Sequence, residues 1–228
     1  MASKKGLPDR VKFKNLDSLF GIEEQTGQVL EAPTEELHSF KNHPFKVLHD
    51  EKMIQTIESI RENGILVPIM VRERQEGGYE IISGHRRKYA ADMVGLETVP
   101  IIIRNLTDDE AIIAMVDANL QREEILPSEK AFAFKMKLQA ISRVKVRPKN
   151  EGQVVPNYQG MKSTEIVAEG TGESYKQIQR YIRLTKLLAE LLDMVDAKKI
   201  KFNPAVELSY LSSHEQFTLL EVMKQYCL

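Results

Sequence analysis

The sequence holds a single cysteine, Cys227. One thiol closes no internal disulfide and builds no cysteine-based zinc site. No apolar run approaches the roughly 20 residues of a membrane helix. The first ten residues, MASKKGLPDR, contain no apolar h-region, so a secreted precursor is not expected. These absences together predict a reducing, cytoplasmic setting and no membrane partner. An excess of either charge is missing too: 32 Lys+Arg against 33 Asp+Glu give a formal net charge of -1. That excludes a uniformly basic polyanion binder and leaves any basic face to be found by position. No Gly-x-Ser-x-Gly stretch and no Walker-type phosphate loop occurs. His43, His49, His85 and His214 lack metal-ligand spacing, and Asp92, Asp108 and Asp109 form no paired-carboxylate arrangement beyond helix capping. What remains is a globular balance, with 42% hydrophobic and 29% charged residues in a chain of 228. Such a chain can bury a core, as one large domain or two small ones.

Residues 1–40 mix charges with isolated apolar side chains such as Phe13, Leu16 and Phe20, which predicts a flexible arm. Organisation starts at His43-Pro44-Phe45-Lys46. Met53, Ile54, Ile57 and Ile60 then recur at helical spacing up to Asn63-Gly64, a C-cap signal. Strands are predicted over 65–71, 79–83 and 99–104, with Pro68 marking an edge strand or a bulge. Gly84 opens a helix that Gly95 closes. Thr107-x-x-Glu110 is a capping box starting a helix to about Gln121, and Pro127-Ser128 starts another to about Ile141. A basic linker is predicted over 143–160, from Arg143, Lys145, Arg147 and Lys149 with prolines and glycines among them. Everything after Ser163 reads as helix, with Ser174-x-x-Gln177 and Ser213-x-x-Gln216 as capping boxes and Asn203-Pro204 as a helix start. The class is therefore α+β: a sheet-and-helix domain over 41–142, then an all-helical module over 161–228.

Three stretches carry chemistry. In Tyr79–Lys88 a strand runs into Gly84 and then a helix led by His85, Arg86 and Arg87. Free N–H groups at a helix start favour an anion, glycine admits it to the backbone, and arginines add bidentate donors. Cations in a first helical turn oppose the macrodipole, and a bound phosphate would account for them. A glycine turn with solvated arginines is the plainer alternative. Asn119-Leu-Gln-Arg-Glu-Glu124 follows an apolar helix and could reach a ligand held by the sheet, or simply cap that helix. Two short helices around Gly170-Thr171-Gly172 suit a helix-turn-helix. The second carries Lys176, Gln177, Gln179, Arg180, Arg183 and Lys186 without an acid between Ser174 and Lys186. Such a face can neutralise phosphates and read base edges, or be an ordinary solvated face.

Taken in order, the Pro44-Phe45-Lys46 segment, the helix ending in Asn63-Gly64 and Val67–Arg72 precede Ser83-Gly-His-Arg-Arg87. Val99-Pro100-Ile101, Asn119-Leu-Gln-Arg-Glu123, Pro127-Ser-Glu129 and the helix-turn-helix follow. This ordered set resembles the ParB family of chromosome and plasmid partition proteins over about residues 40–212. The resemblance implies a protein that binds a palindromic, centromere-like site on double-stranded DNA. It implies CTP and Mg2+ in the N-terminal domain, a homodimeric sliding clamp, a ParA-type ATPase partner, and residence on the nucleoid. Carried over residue by residue, Lys46, Gly84, His85, Arg86, Arg87, Asn119, Gln121 and Arg122 would bind the nucleotide, with Asn119 at the metal. Thr164, Ser174, Lys176, Gln177, Arg180 and Arg183 would bind DNA.

The sequence also departs from that family. Its phosphate motif, Gly-Glu-Arg-Arg, is Gly84-His85-Arg86-Arg87 here, and its Glu-Asn-Leu-Gln-Arg motif is Ala118-Asn119-Leu120-Gln121-Arg122. Both acids are gone, and Lys46 stands where an arginine is usual. Loss of the second acid predicts nucleotide binding with slow hydrolysis at most. Asp117 lies one residue back, about 100° around a helix. Family members commonly carry a C-terminal dimerisation domain, for which residues 213–228 are too few, so a fragment or a shorter relative is expected. Gly84-His85-Arg86 is also reminiscent of sulfiredoxins, but their chemistry needs a cysteine in that loop, and none is there. A nucleotide-dependent kinase on this fold would leave the helix-turn-helix unexplained. A ligand-independent transcriptional regulator would leave the phosphate loop unexplained.

Overall fold

The computed structural model describes residues 28–47, 49–122, 124–146 and 162–225, all within one compact unit. The predicted basic linker from Arg147 to Gly160, and Cys227, lie outside the described residues. A five-stranded sheet has the order β1-β5-β3-β4-β2. β1 (Val29–Pro33) pairs antiparallel with β5 (Thr98–Ile103), which lies parallel to β3 (Ile69–Glu73). β3 pairs antiparallel with β4 (Tyr79–Ser83), and β4 lies parallel to the two-residue β2 (Leu37–His38).

Two sequence expectations change here. Val29–Pro33 and Leu37–His38 belong to the sheet, joined by a 3-10 turn, rather than to a flexible arm. Only Ala32 of β1 is buried, so its side chains show no period, and backbone pairing with β5 holds it. β3 is a central strand, not an edge. Pro68 stands one residue before its start, where no ladder N–H is required, and a register shift between Met70 and Val71 supplies the irregularity.

Ile69, Val71, Ile81, Val99 and Ile101 form the sheet's buried face with Ala91 of α2 (His85–Val94). The amphipathic α1 (Glu51–Asn63) turns Met53 and Ile60 onto Ala90 of α2. Gly64, at φ 67°, closes α1, and the Thr107–Glu110 capping box opens α3 (Asp108–Leu120) as predicted. α4 runs Pro127–Val146, past the expected boundary at 142. It serves both halves. Its Lys137 pairs with Asp117 of α3, and its Ala131 lies in the core of the helical half.

That half comprises α5 (Ser163–Thr171), α6 (Tyr175–Leu184), α7 (Ala189–Asp196), α8 (Phe202–Leu208) and α9 (Ser213–Gln225). Leu184, Leu191, Val195, Ala205, Val206 and Leu220 form its core. α8 starts one residue before Asn203, with Lys201 at the N-cap position. The last capping box is also one residue early. Ser212 and Glu215 cap α9 reciprocally, at 2.7 Å and 3.3 Å. Gln216, 1% exposed, instead accepts from Leu188 N (2.8 Å) and donates to the carbonyls of Lys186 and Leu211. No helix among the described residues is long and apolar enough to cross a membrane.

Candidate anion site and helix-turn-helix

β4 delivers the chain to Gly84, which holds φ 110° and ψ 19° at the N-cap of α2. A Cβ there would lie 3.2 Å from Arg87 Nη2 and 3.3 Å from Ile69 Cγ1. The first helical bond is Lys88 N to Gly84 O (2.9 Å), so the amides of residues 85–87 precede the ladder. Arg86 donates to Asp50 at 2.9 Å and 3.4 Å, and Asp50 also caps α1 by accepting from Met53 N (2.8 Å). The Arg86 guanidinium holds the Asp50 carboxyl below its ordinary range. Arg87 turns the other way. It donates to the carbonyls of Val67 and Pro68, the latter at 2.6 Å, and so ties down the entry to β3.

His85 is 7% exposed and stacks on His43 with ring centroids 3.9 Å apart. Burial pushes its pKa down to about 3, helped by His43 and the Arg122 charge. His43 Nδ1 lies 2.7 Å from the Phe45 carbonyl, which can only accept, so that nitrogen carries the proton. Its buried Nε2 has no hydrogen-bond partner among the described residues. Arg122 lies over the Phe45 ring at 5.7 Å and makes no hydrogen bond through its side chain to a described residue. Burial lowers its pKa. Glu129 opposes that shift, while Arg86 is near enough to add to it.

The structure thus brings together His85, Arg86 and Arg122, with His43 and Phe45 beside them. Lys46 joins at the margin: its N–H donates to Glu129 (2.7 Å) and its ammonium stands 3.9 Å from Asp196. Asn119 is buried, with its amide nitrogen bonded to Met115 O of its own helix (2.8 Å), and Gln121 is exposed beyond it. His43, Phe45, Asp50 and Glu129 were not marked as site residues from the sequence. Asp50 and Glu129 lie 36 and 83 residues from their partners Arg86 and Lys46, so no local spacing pairs them, and Glu129 is marked only by the Pro127-Ser-Glu129 motif.

Mg2+ is usually held through one or two carboxylates together with substrate phosphates. Here Asp50 is paired with Arg86, Glu129 accepts from the amides of Lys46 and Leu126, and Asp117 is buried against Lys137. Among the described residues no group of three His, Cys, Asp or Glu could hold a metal. Asn119 Oδ1 is the one oxygen of the expected set that remains, and it does not make a magnesium site. The described residues do not fit a protein-held Mg2+.

In the helical half, α5 ends at Gly172 (φ 70°) and Ser174 caps α6 by accepting from Gln177 N (3.2 Å). Ile166, Val167, Ile178 and Leu184 bury the inner faces of the pair. Ser174 and Lys176 are exposed, while Thr164 and Gln177 are half-buried. Arg180 and Arg183 are drawn onto the α8 region. Arg180 donates to Asn203 (2.6 Å) and covers Phe202; Arg183 donates to Ser209 O (2.8 Å) and lies 4.1 Å from the Tyr210 ring centre.

Comparison with known proteins places these features in context. The ParB N-terminal domain model matches residues 21–120, beginning inside the stretch that reads as an arm. A nucleoid occlusion protein of Listeria innocua is 33% identical over 198 residues, 86% of this chain and 62% of that protein. The chromosome-partitioning protein Spo0J of Thermus thermophilus is 29% identical over 198 residues, 86% of this chain and 66% of that one. The chain therefore spans 62% to 66% of the length of these relatives. C-terminally truncated ParB of Caulobacter crescentus, complexed to the centromeric parS site, has the same fold with a TM-score of 0.51. The two are 24% identical over 87% of this chain and 93% of that one.

Proposed function

The chain belongs to the ParB family, and from that premise we propose that it is a sequence-specific DNA-binding partition protein gated by a nucleoside triphosphate, CTP. The nucleotide would bind where α2 starts, and a palindromic duplex would bind along α5 and α6. The observation that carries the nucleotide half is Arg122. A half-buried guanidinium with no protein acceptor among the described residues, beside Arg86 and a glycine-led helix start, is a site prepared for a polyanion. Arg86 shares its five donors with Asp50 and can present the remainder to a phosphate. The homodimeric clamp, the nucleoid setting and a ParA-type ATPase partner rest on family membership.

Ala118 offers a methyl group where the family has a carboxylate, and Lys137 occupies Asp117. With neither of these two positions supplying a free acid, binding without appreciable turnover follows, with release of intact CTP reopening the clamp. The test is CTP binding by calorimetry, with phosphate release followed in parallel. Arg122→Ala should weaken CTP roughly tenfold or more, the loss of one or two charge-assisted hydrogen bonds. Selection from a random duplex library should enrich one inverted repeat. Unchanged CTP affinity in Arg122→Ala, or no enriched repeat, refutes the corresponding half.

A further inference from the structure

We propose that triphosphate binding at this site is independent of Mg2+. The inference rests on the nucleotide reading above and concerns how the charge of that ligand is balanced. Divalent cations in triphosphate sites bridge negative phosphates and negative protein groups. Three described carboxylates are each held by another group: Asp50 by Arg86 and the α1 start, Glu129 by two backbone amides, and Asp117 by Lys137. The position after Gly84 is a neutral, buried histidine stacked on a second one. The position before Asn119 is alanine. None of these three carboxylates is therefore free to bridge a metal to the ligand.

Cations and dipoles face it instead. Among the described residues Arg122 has no side-chain acceptor, Arg86 keeps donors beyond Asp50, and Lys46, 55% exposed, makes a long contact to Asp196. The open amides at the α2 start add the partial positive charge of a helix terminus. Three side-chain cations and a helix start meet the phosphates directly, which is the work a metal otherwise does. A metal that reaches the site would be carried by the nucleotide and would add little.

The experiment is calorimetric titration of the protein with CTP in excess Mg2+ and again in EDTA. The expected result is affinities within about threefold of each other. Binding in Mg2+ that falls by about tenfold or more in EDTA overturns the inference and leaves the nucleotide reading intact. No binding under either condition overturns both. Ala118→Glu returns an acid to the half-buried start of the second motif. That variant should gain metal dependence, its CTP affinity dropping about tenfold or more in EDTA. A variant that stays indifferent to EDTA while folding and binding normally refutes the charge argument.

Discussion

Lys137→Met isolates an ion pair between α3 and α4 in which both side chains are buried. The side chains of Lys137 and Asp117 are 4% and 10% exposed. Methionine keeps most of the lysine stem's volume and removes its charge. Breaking a buried pair from one side costs about 3–5 kcal/mol, because the remaining charge is left uncompensated. For a chain of this size that is a loss of roughly 6–20 °C in melting temperature. The carboxyl can escape part of the cost by taking up a proton. Burial already raises the pKa of Asp117 even with Lys137 pulling it down, so removing the lysine raises it further. A carboxyl whose folded pKa lies above its unfolded value binds its proton more tightly in the fold. Its stabilising effect is present below the unfolded pKa and is lost as pH rises through the folded one. The deficit of Lys137→Met should therefore be largest near neutrality and shrink toward acid. Asp117→Asn added to it removes the orphaned charge and should recover much of the loss. Thermal melts of the two variants and the unmodified protein at about pH 7 and about pH 5 measure this. A melting temperature for Lys137→Met within about 2 °C of the unmodified protein at neutral pH refutes the reasoning, as does a deficit that grows on acidification.

His85 gives the opposite slope: its pKa is about 3 in the fold against an ordinary 6.5. Its contribution is present above about pH 6.5 and declines as pH falls toward about 3, at up to about 1.4 kcal/mol per unit. His85→Gln should lose less stability than the unmodified protein between about pH 7 and about pH 5.5, and equal losses would assign the slope to another group. Gly84→Ala forces a side chain to φ 110° and against Arg87; a cost of about 1–2 kcal/mol, roughly 2–8 °C in melting temperature, is expected, and an unchanged melt would refute it. Lys176→Ala should weaken all duplex sequences alike and lower the salt slope by about one. Arg183→Ala should instead lower the melting temperature, since Arg183 holds Ser209 and Tyr210.

The legible part of the fold is the part written in local chemistry. Gly64 and Gly84 take the positive φ angles that their positions suggest, and Thr107 and Ser174 cap the helices that they precede. β1 was invisible because an edge strand held by backbone pairing needs no side-chain period. Gln216 looked like a capping residue because it stands three places after Ser213, yet its buried amide serves three backbone groups of the α6–α9 region. At the candidate anion site, motif order marks the helix start with Arg86 and the later Arg122, which the fold brings near each other. That Arg87 faces β3 instead cannot be read from it, because its direction is decided by the carbonyls of Val67 and Pro68, about 20 residues earlier. The same limit applies to Arg180 and Arg183, whose partners on and after α8 lie 23 and 26 residues later.

How the two halves are joined follows from one misplaced charge. Asp196 ends α7, where an acid opposes that helix's own dipole. It stands there because it serves another helix: its two oxygens accept from Ser128 N (3.0 Å) and Ser128 Oγ (2.5 Å) at the start of α4. The next residue, Glu129, accepts from Lys46 N and Leu126 N at the same helix end, and its charge is felt by Arg122. The segment carrying Lys46, the loop following Arg122 and the last turn of α7 thus meet at the α4 N-terminus. An acceptor lost there leaves open amides that cost about 1–3 kcal/mol each when buried, so these contacts hold or move together. The candidate anion site is therefore tied to the helical module by a hydrogen-bonded helix end as well as by the covalent chain. A ligand that shifts Lys46 acts on the helix end to which α7 is fastened, and one that binds Arg122 changes the charge that Glu129 faces.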